Sequence, residues 1–253
     1  MPENKGSSPS PGGFLADLYT ILGAFLIVGA VIVGSIAFST LALQLIFPPD
    51  ILDQIQAGNV PSVAVWISLI AFQVSAIALI LVLARLTSPE PLRFTFALAP
   101  PQASARTIAL LFVLITTVQI LFSLLTSVFF PADAQHDLSV FRDIMHDAPL
   151  VLSLTALIIG APLSEELLFR GYMMNRLSQT WLGFGGATIV STTLWTLLHA
   201  GYSTIGLIEV FIAGLLFSWV LWQTGSLWIT ILFHAVYNGF VYIYLLATQP
   251  PVI

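Results

Sequence analysis

The chain contains no cysteine, which excludes disulfides, thiolate catalysis, iron–sulfur clusters and cysteine-ligated zinc. Charge is almost as scarce. Only 8% of residues are charged, where an ordinary soluble domain carries roughly 25%. Seven Lys and Arg stand against twelve Asp and Glu, for a net charge of −5. That balance gives no electrostatic footprint for nucleic acid, and no basic run forms a cluster for lipid headgroups. An HExxH zinc-protease helix is also missing, as is any internal repeat of the kind that marks inverted-repeat transporters. What fills the chain instead is apolar: 58% of residues are hydrophobic and the mean hydropathy is +0.99. Apolar blocks of the ~20 residues needed to cross ~30 Å of hydrocarbon recur along its length. A membrane β-barrel would alternate in short segments, so the reading is an all-α polytopic membrane protein.

Three regions follow from composition. Residues 1–13 are polar and rich in Ser, Pro and Gly, and are expected to form a disordered tail. Residues 14–148 hold N-terminal transmembrane helices and loops, and residues 149–253 hold the segment in which polar chemistry concentrates. Spans are expected near residues 18–47, 62–86, 107–130, from 150 into APLSEELLFRGYMMNR, 185–200, 205–222 and 227–247. That makes about seven, within a range of six to eight. The polar stretch 131–149 contains LSVFRDIM, whose apolar spacing predicts an amphipathic interfacial helix. This outweighs the metal-like repeat of His136-Asp137 and His146-Asp147. Lys5, Arg85, Arg93, Arg106, Arg170 and Arg176 fall on alternate loops or span ends, so the positive-inside rule puts the N-terminus in the cytoplasm.

Ionisable side chains inside a membrane are functional candidates because each costs roughly 2.5–3.5 kcal/mol to insert. Within the expected spans they are Glu165, Glu166, Arg170, His199, Glu209 and His234, joined by the polar Asn238. Glu166 and Arg170 are an i,i+4 pair on one helical face, which leaves Glu165 about 100° away to face something else. His234 and Asn238 are likewise i,i+4. A carboxylate, two imidazoles and a carboxamide in a low-dielectric site suit a hydrolase. The carboxylate takes a proton from water, and the others stabilise an oxyanion. Two His and one Glu could instead hold one metal ion with water at the open position. Glu209 matches no catalytic pattern and is expected to pair near the outer interface.

Glu165-Glu166-x-x-x-Arg170, then His199 ending an apolar helix, then His234-x-x-x-Asn238, resembles the CAAX-processing and bacteriocin-processing (CPBP, also called Abi) intramembrane endopeptidases. The resemblance covers about residues 150–245 and includes TGSLWITILFHAVYN near the C-terminal end. It departs at Trp195, where the family usually has Phe four residues before the histidine. The resemblance implies a protease core over residues 149–253. In it Glu165 is the general base, Glu166 and Arg170 organise the site, and His199, His234 and Asn238 hold water or the oxyanion. It implies a membrane-embedded or lipidated protein or peptide as substrate, prenylated CAAX-type or bacteriocin-like, and a bacterial inner membrane as location. The cofactor is left open, since a glutamate mechanism needs none and a metalloprotease would use one divalent ion such as zinc. The competing readings are a non-catalytic immunity or partner-binding membrane protein of the same fold, and a proton-coupled transporter.

Overall fold

A computed structural model describes residues 11–145 and 149–248. Residues 1–10 of the expected tail, and His146 and Asp147 of the metal-like repeat, lie outside the described residues. Among the described residues there is no strand, and every element is helical. The first helix, α1 (Pro11–Ile46), lies along α3 (Ser62–Thr87), and the short α2 (Pro49–Gln56) connects them. Pro48 and Pro49 end α1 because proline supplies no N–H and its ring blocks a continuing turn. A single turn, α4 (Leu92–Thr95), leads to α5 (Ala105–Phe129), whose N-cap Ser104 accepts a hydrogen bond from the Thr107 N–H at 3.2 Å. The stretch read as an interfacial helix is α6 (Pro131–Met145).

The helix that carries both glutamates, α7 (Leu150–Ser178), widens into π-helical turns at Thr155–Gly160 and Glu166–Met174. After it come α8 (Gly183–Leu197), α9 (Thr204–Thr224) and α10 (Leu227–Ala247). Among the described residues six helices are long and apolar enough to cross a membrane, namely α1, α3, α5, α7, α9 and α10. The seventh expected span is α8, with 15 residues, about 22 Å at 1.5 Å per residue and shorter than the ~30 Å hydrocarbon layer. Outward-facing Leu, Val, Ile and Phe side chains coat the long helices, as lipid contact requires.

Two buried clusters hold the bundle. The larger surrounds α7 with Phe96, Phe169, Tyr172, Met173, Phe217 and Leu227; the smaller joins Trp66, Met145, Ala156, Tyr242 and Leu245. The turn into α10 is clamped by the loop before α5. Gly225 closes α9 at φ +65°, a backbone conformation that glycine adopts without penalty. The Ser226 hydroxyl then donates to the Ala99 carbonyl at 2.7 Å, and the Leu227 N–H to the Ala97 carbonyl at 2.9 Å. These bonds set the depth at which α10 presents His234.

Candidate active site

Glu166 is fully buried, and its Oε1 accepts hydrogen bonds from Arg170 Nη1 at 3.0 Å and His234 Nδ1 at 2.9 Å. The i,i+4 spacing on α7 supplies the first contact; the packing of α10 against α7 supplies the second. The Arg170 guanidinium lies over the Trp195 ring at 4.2 Å and within 5.9 Å of Phe217. Gly214 leaves room for it, since a Cβ there would sit 2.8 Å from Nη2. His234 stacks on Phe217 with ring centroids 4.9 Å apart. A buried cation between aromatic faces and beside a carboxylate is held on several sides, which fixes His234 indirectly.

Glu165 points away from this triad, as the helical angle predicts, and is only half-buried. Its Oε2 accepts the Trp195 indole N–H at 2.5 Å. Trp195 also meets His199 edge-on at 5.2 Å and His234 at 5.7 Å. His199 Nδ1 lies 3.1 Å from the Trp195 carbonyl oxygen. A carbonyl only accepts, so Nδ1 carries a hydrogen. The same logic applies to His234, whose Nδ1 donates to a carboxylate. The site therefore has a buried foundation of Glu166, Arg170 and His234, and a half-buried edge of Glu165 and His199.

Five of the six residues singled out in the sequence converge here. The sixth, Asn238, projects from the same face of α10 as His234, but its amide Nδ2 donates to the Leu157 carbonyl of α7 at 2.9 Å. One residue earlier, the Ala156 carbonyl accepts Gln73 Nε2 from α3 at 3.0 Å. Both carbonyls belong to a π-helical turn, where main-chain pairing departs from the α pattern, so side chains from two neighbouring helices complete it. Gln73 was not singled out in the sequence. A glutamine amid an apolar span is the mark that could have flagged it.

Glu209 lies away from this constellation. Its Oε1 accepts the Ser123 hydroxyl at 2.5 Å and the Tyr237 hydroxyl at 3.1 Å, which satisfies a half-buried carboxylate between α5, α9 and α10. Asp137 of α6 grips the start of α9, accepting the Ser203 N–H at 2.6 Å and its hydroxyl at 2.8 Å. A metal would need several donors converging on one point. Among the described residues no group of three or more His, Cys, Asp or Glu side chains is placed to share an ion, so the residues present do not form a ligand set.

Residues 147–240 match the family described as type II CAAX prenyl endopeptidase, Rce1-like. A protein of Escherichia coli described as "Uncharacterized 24.3 kDa protein" is 38% identical over 88 residues, which is 34% of this chain and 40% of that protein. The chain thus spans less than half the length of that curated relative. No solved structure matches it. The matched stretch contains Glu165, Glu166, Arg170, His199, His234 and Asn238 in order, on the helices that bring the first five together. Over residues 147–240, then, the chain is similar to the Rce1-like family of type II CAAX prenyl endopeptidases.

Proposed function

We propose that the chain is an intramembrane endopeptidase that hydrolyses a peptide bond of a membrane-embedded or lipid-anchored protein, with Glu165 as the base that activates water. The observation that supports this most directly is the contrast between the two adjacent carboxylates. Glu166 is wholly enclosed and engaged by Arg170 and His234, while Glu165 is half-exposed with Oε2 held by Trp195. Among the described residues Oε1 of Glu165 makes no hydrogen bond, so it can take a proton from water, whereas Glu166 is enclosed. The imidazoles of His199 and His234, which both meet the Trp195 ring edge-on, help order that water. Arg170 holds the charge of Glu166 in place, so the site keeps a single working carboxylate. The matching family acts on prenylated CAAX proteins by its description, and a lipidated or membrane-spanning segment fits a site built between α7, α8 and α10. The membrane we assign is a bacterial inner membrane, with residues 1–13 and the α3–α5 connection on the cytoplasmic side.

The test compares the termini of membrane proteins, by mass spectrometry, in cells that express wild type or Glu165→Gln at equal abundance. New termini that appear with wild type alone are the expected result, and they also name the substrate. Identical profiles across well-covered membrane proteins would overturn proteolysis in favour of a binding or immunity role.

A further inference from the structure

The side chain of Gln73 reaches from α3 into the π-helical turn Thr155–Gly160 of α7 and touches it at two points. Its Nε2 donates to the Ala156 carbonyl at 3.0 Å. Its Oε1 lies against Gly160, where an added Cβ would collide with Oε1 and fall 2.7 Å from Cδ. A glycine at position 160 is therefore what lets the amide seat along the turn. From α10, Asn238 Nδ2 donates to the Leu157 carbonyl of the same turn at 2.9 Å, and that nitrogen keeps a second hydrogen for another acceptor. Glu165 follows on the same helix.

Burying this amide is costly. Gln73 is 3% exposed, and among the described residues its enclosed Oε1 makes no hydrogen bond. A buried acceptor without a partner carries a penalty that an apolar side chain of similar size would not. Packing of α3 on α7 is thus a poor account of a glutamine here, and control of helical register is a better one. A turn paired i to i+5 takes in one residue more than an α turn. Its relaxation to α would swing the helix beyond it by about 100° around the axis. Such a swing would carry Glu165 away from Trp195 and Glu166 away from His234.

We propose that Gln73 is a positioning residue for the hydrolysis: it locks the π-helical turn of α7 and so fixes the angle at which Glu165 meets its water. The inference rests on the endopeptidase reading above. It gives α3, which lies outside residues 147–240, a part in the reaction. Gly160 is the other half of the lock, and Asn238 holds the same turn from α10. Gln73 itself transfers no proton and touches no substrate. It acts on Glu165 through the backbone of α7 alone.

The experiment uses the full chain in proteoliposomes with a substrate identified by its termini, and compares wild type, Gln73→Met, Gly160→Ala and Glu165→Gln. Methionine keeps the length of the side chain and removes the amide. Since a misplacement of about 1 Å remote from the chemistry costs up to about 10²-fold, the expected result is a roughly tenfold to hundredfold fall in kcat per folded molecule. KM should stay within about twofold of wild type. Gly160→Ala keeps the glutamine but crowds its amide, so the same fall is expected. In a Gln73→Ala background that crowding is gone, and Gly160→Ala should cost nothing further. A lower unfolding midpoint with kcat per folded molecule within about twofold of wild type is what a merely structural contact would give. With Glu165→Gln inactive, that outcome overturns the role of Gln73 and leaves the endopeptidase reading standing. Should Gln73→Met not fold, Gly160→Ala decides by the same measure. If Glu165→Gln cleaves as fast as wild type, the assignment of Glu165 fails and the role of Gln73 falls with it.

Discussion

The indole of Trp195 meets Glu165 through its N–H, Arg170 through its face, and His199 and His234 through its edges. A phenyl ring at this position could reproduce the face and edge contacts in weaker form, but has no N–H to offer. A hydrogen bond to a charged group contributes about 1.5–3 kcal/mol. Trp195→Phe is therefore expected to lower kcat/KM by roughly tenfold to a hundredfold while the protein stays folded. Steady-state kinetics on the purified variant check it, and wild-type kinetics would show that the indole N–H does not position Glu165. Glu166 makes a different kind of contribution, because it is the sole carboxylate in contact with a buried Arg170 among the described residues. Glu166→Gln leaves that cation without a counter-charge, at a cost of about 3–5 kcal/mol. We expect a clear drop in the thermal unfolding midpoint in detergent micelles, well beyond that of a surface Glu→Gln control such as Glu90→Gln.

At the scale of the element, α7 is a helix whose regularity is broken beside the candidate site, and its irregular turn is completed from outside. Gln73 of α3 and Asn238 of α10 bind the adjacent carbonyls of Ala156 and Leu157. A buried acceptor stripped of its partner costs about 1–3 kcal/mol. Gln73→Ala and Asn238→Ala are each expected to speed amide hydrogen exchange across residues 155–160 more than across α9. Equal exchange in both helices would show that the π-helical turn needs no bracing. The helices themselves were legible in sequence. Spans expected at 62–86, 107–130 and 227–247 appear as Ser62–Thr87, Ala105–Phe129 and Leu227–Ala247, because long apolar runs ended by Pro, Gly or charge admit no other backbone in lipid. The pairing of Glu166 with Arg170 was legible too, since helical periodicity fixes i,i+4 neighbours. The Gln73 and Trp195 contacts were not. They depend on how helices distant in sequence rotate against one another, and on a π-helical turn that no local pattern announces. For the same reason the sequence did not show that the Asn238 amide donates to the Leu157 carbonyl of α7.

For the whole molecule, the two ends of the bundle differ in charge. Asp17 near the start of α1 accepts the Trp181 N–H at 2.8 Å, and Asn175 at the close of α7 donates to the Thr95 carbonyl at 2.6 Å. These contacts gather the beginning of α1, the α3–α5 connection and the end of α7 at one end, which carries Arg85, Arg93, Arg106 and Arg176. The opposite end holds α6, fastened to the start of α9 by Asp137 and to α3 by the Trp66 N–H on the Ile144 carbonyl at 3.0 Å, and Arg142 is its cation. Because Lys and Arg near span ends are retained on the cytoplasmic side, the four-arginine end should face the cytoplasm and α6 the exterior. A chain without cysteine makes this simple to test, since one introduced thiol gives one label. Glu90 and Gln135 are exposed residues at the two ends. In intact bacterial cells, or spheroplasts where an outer membrane intervenes, a membrane-impermeant maleimide is expected to label Gln135→Cys at once and Glu90→Cys only after permeabilisation. The reverse pattern would invert the molecule, and would place the half-buried edge at His199 and Tyr202, which lies next to α6, nearer the cytoplasmic face.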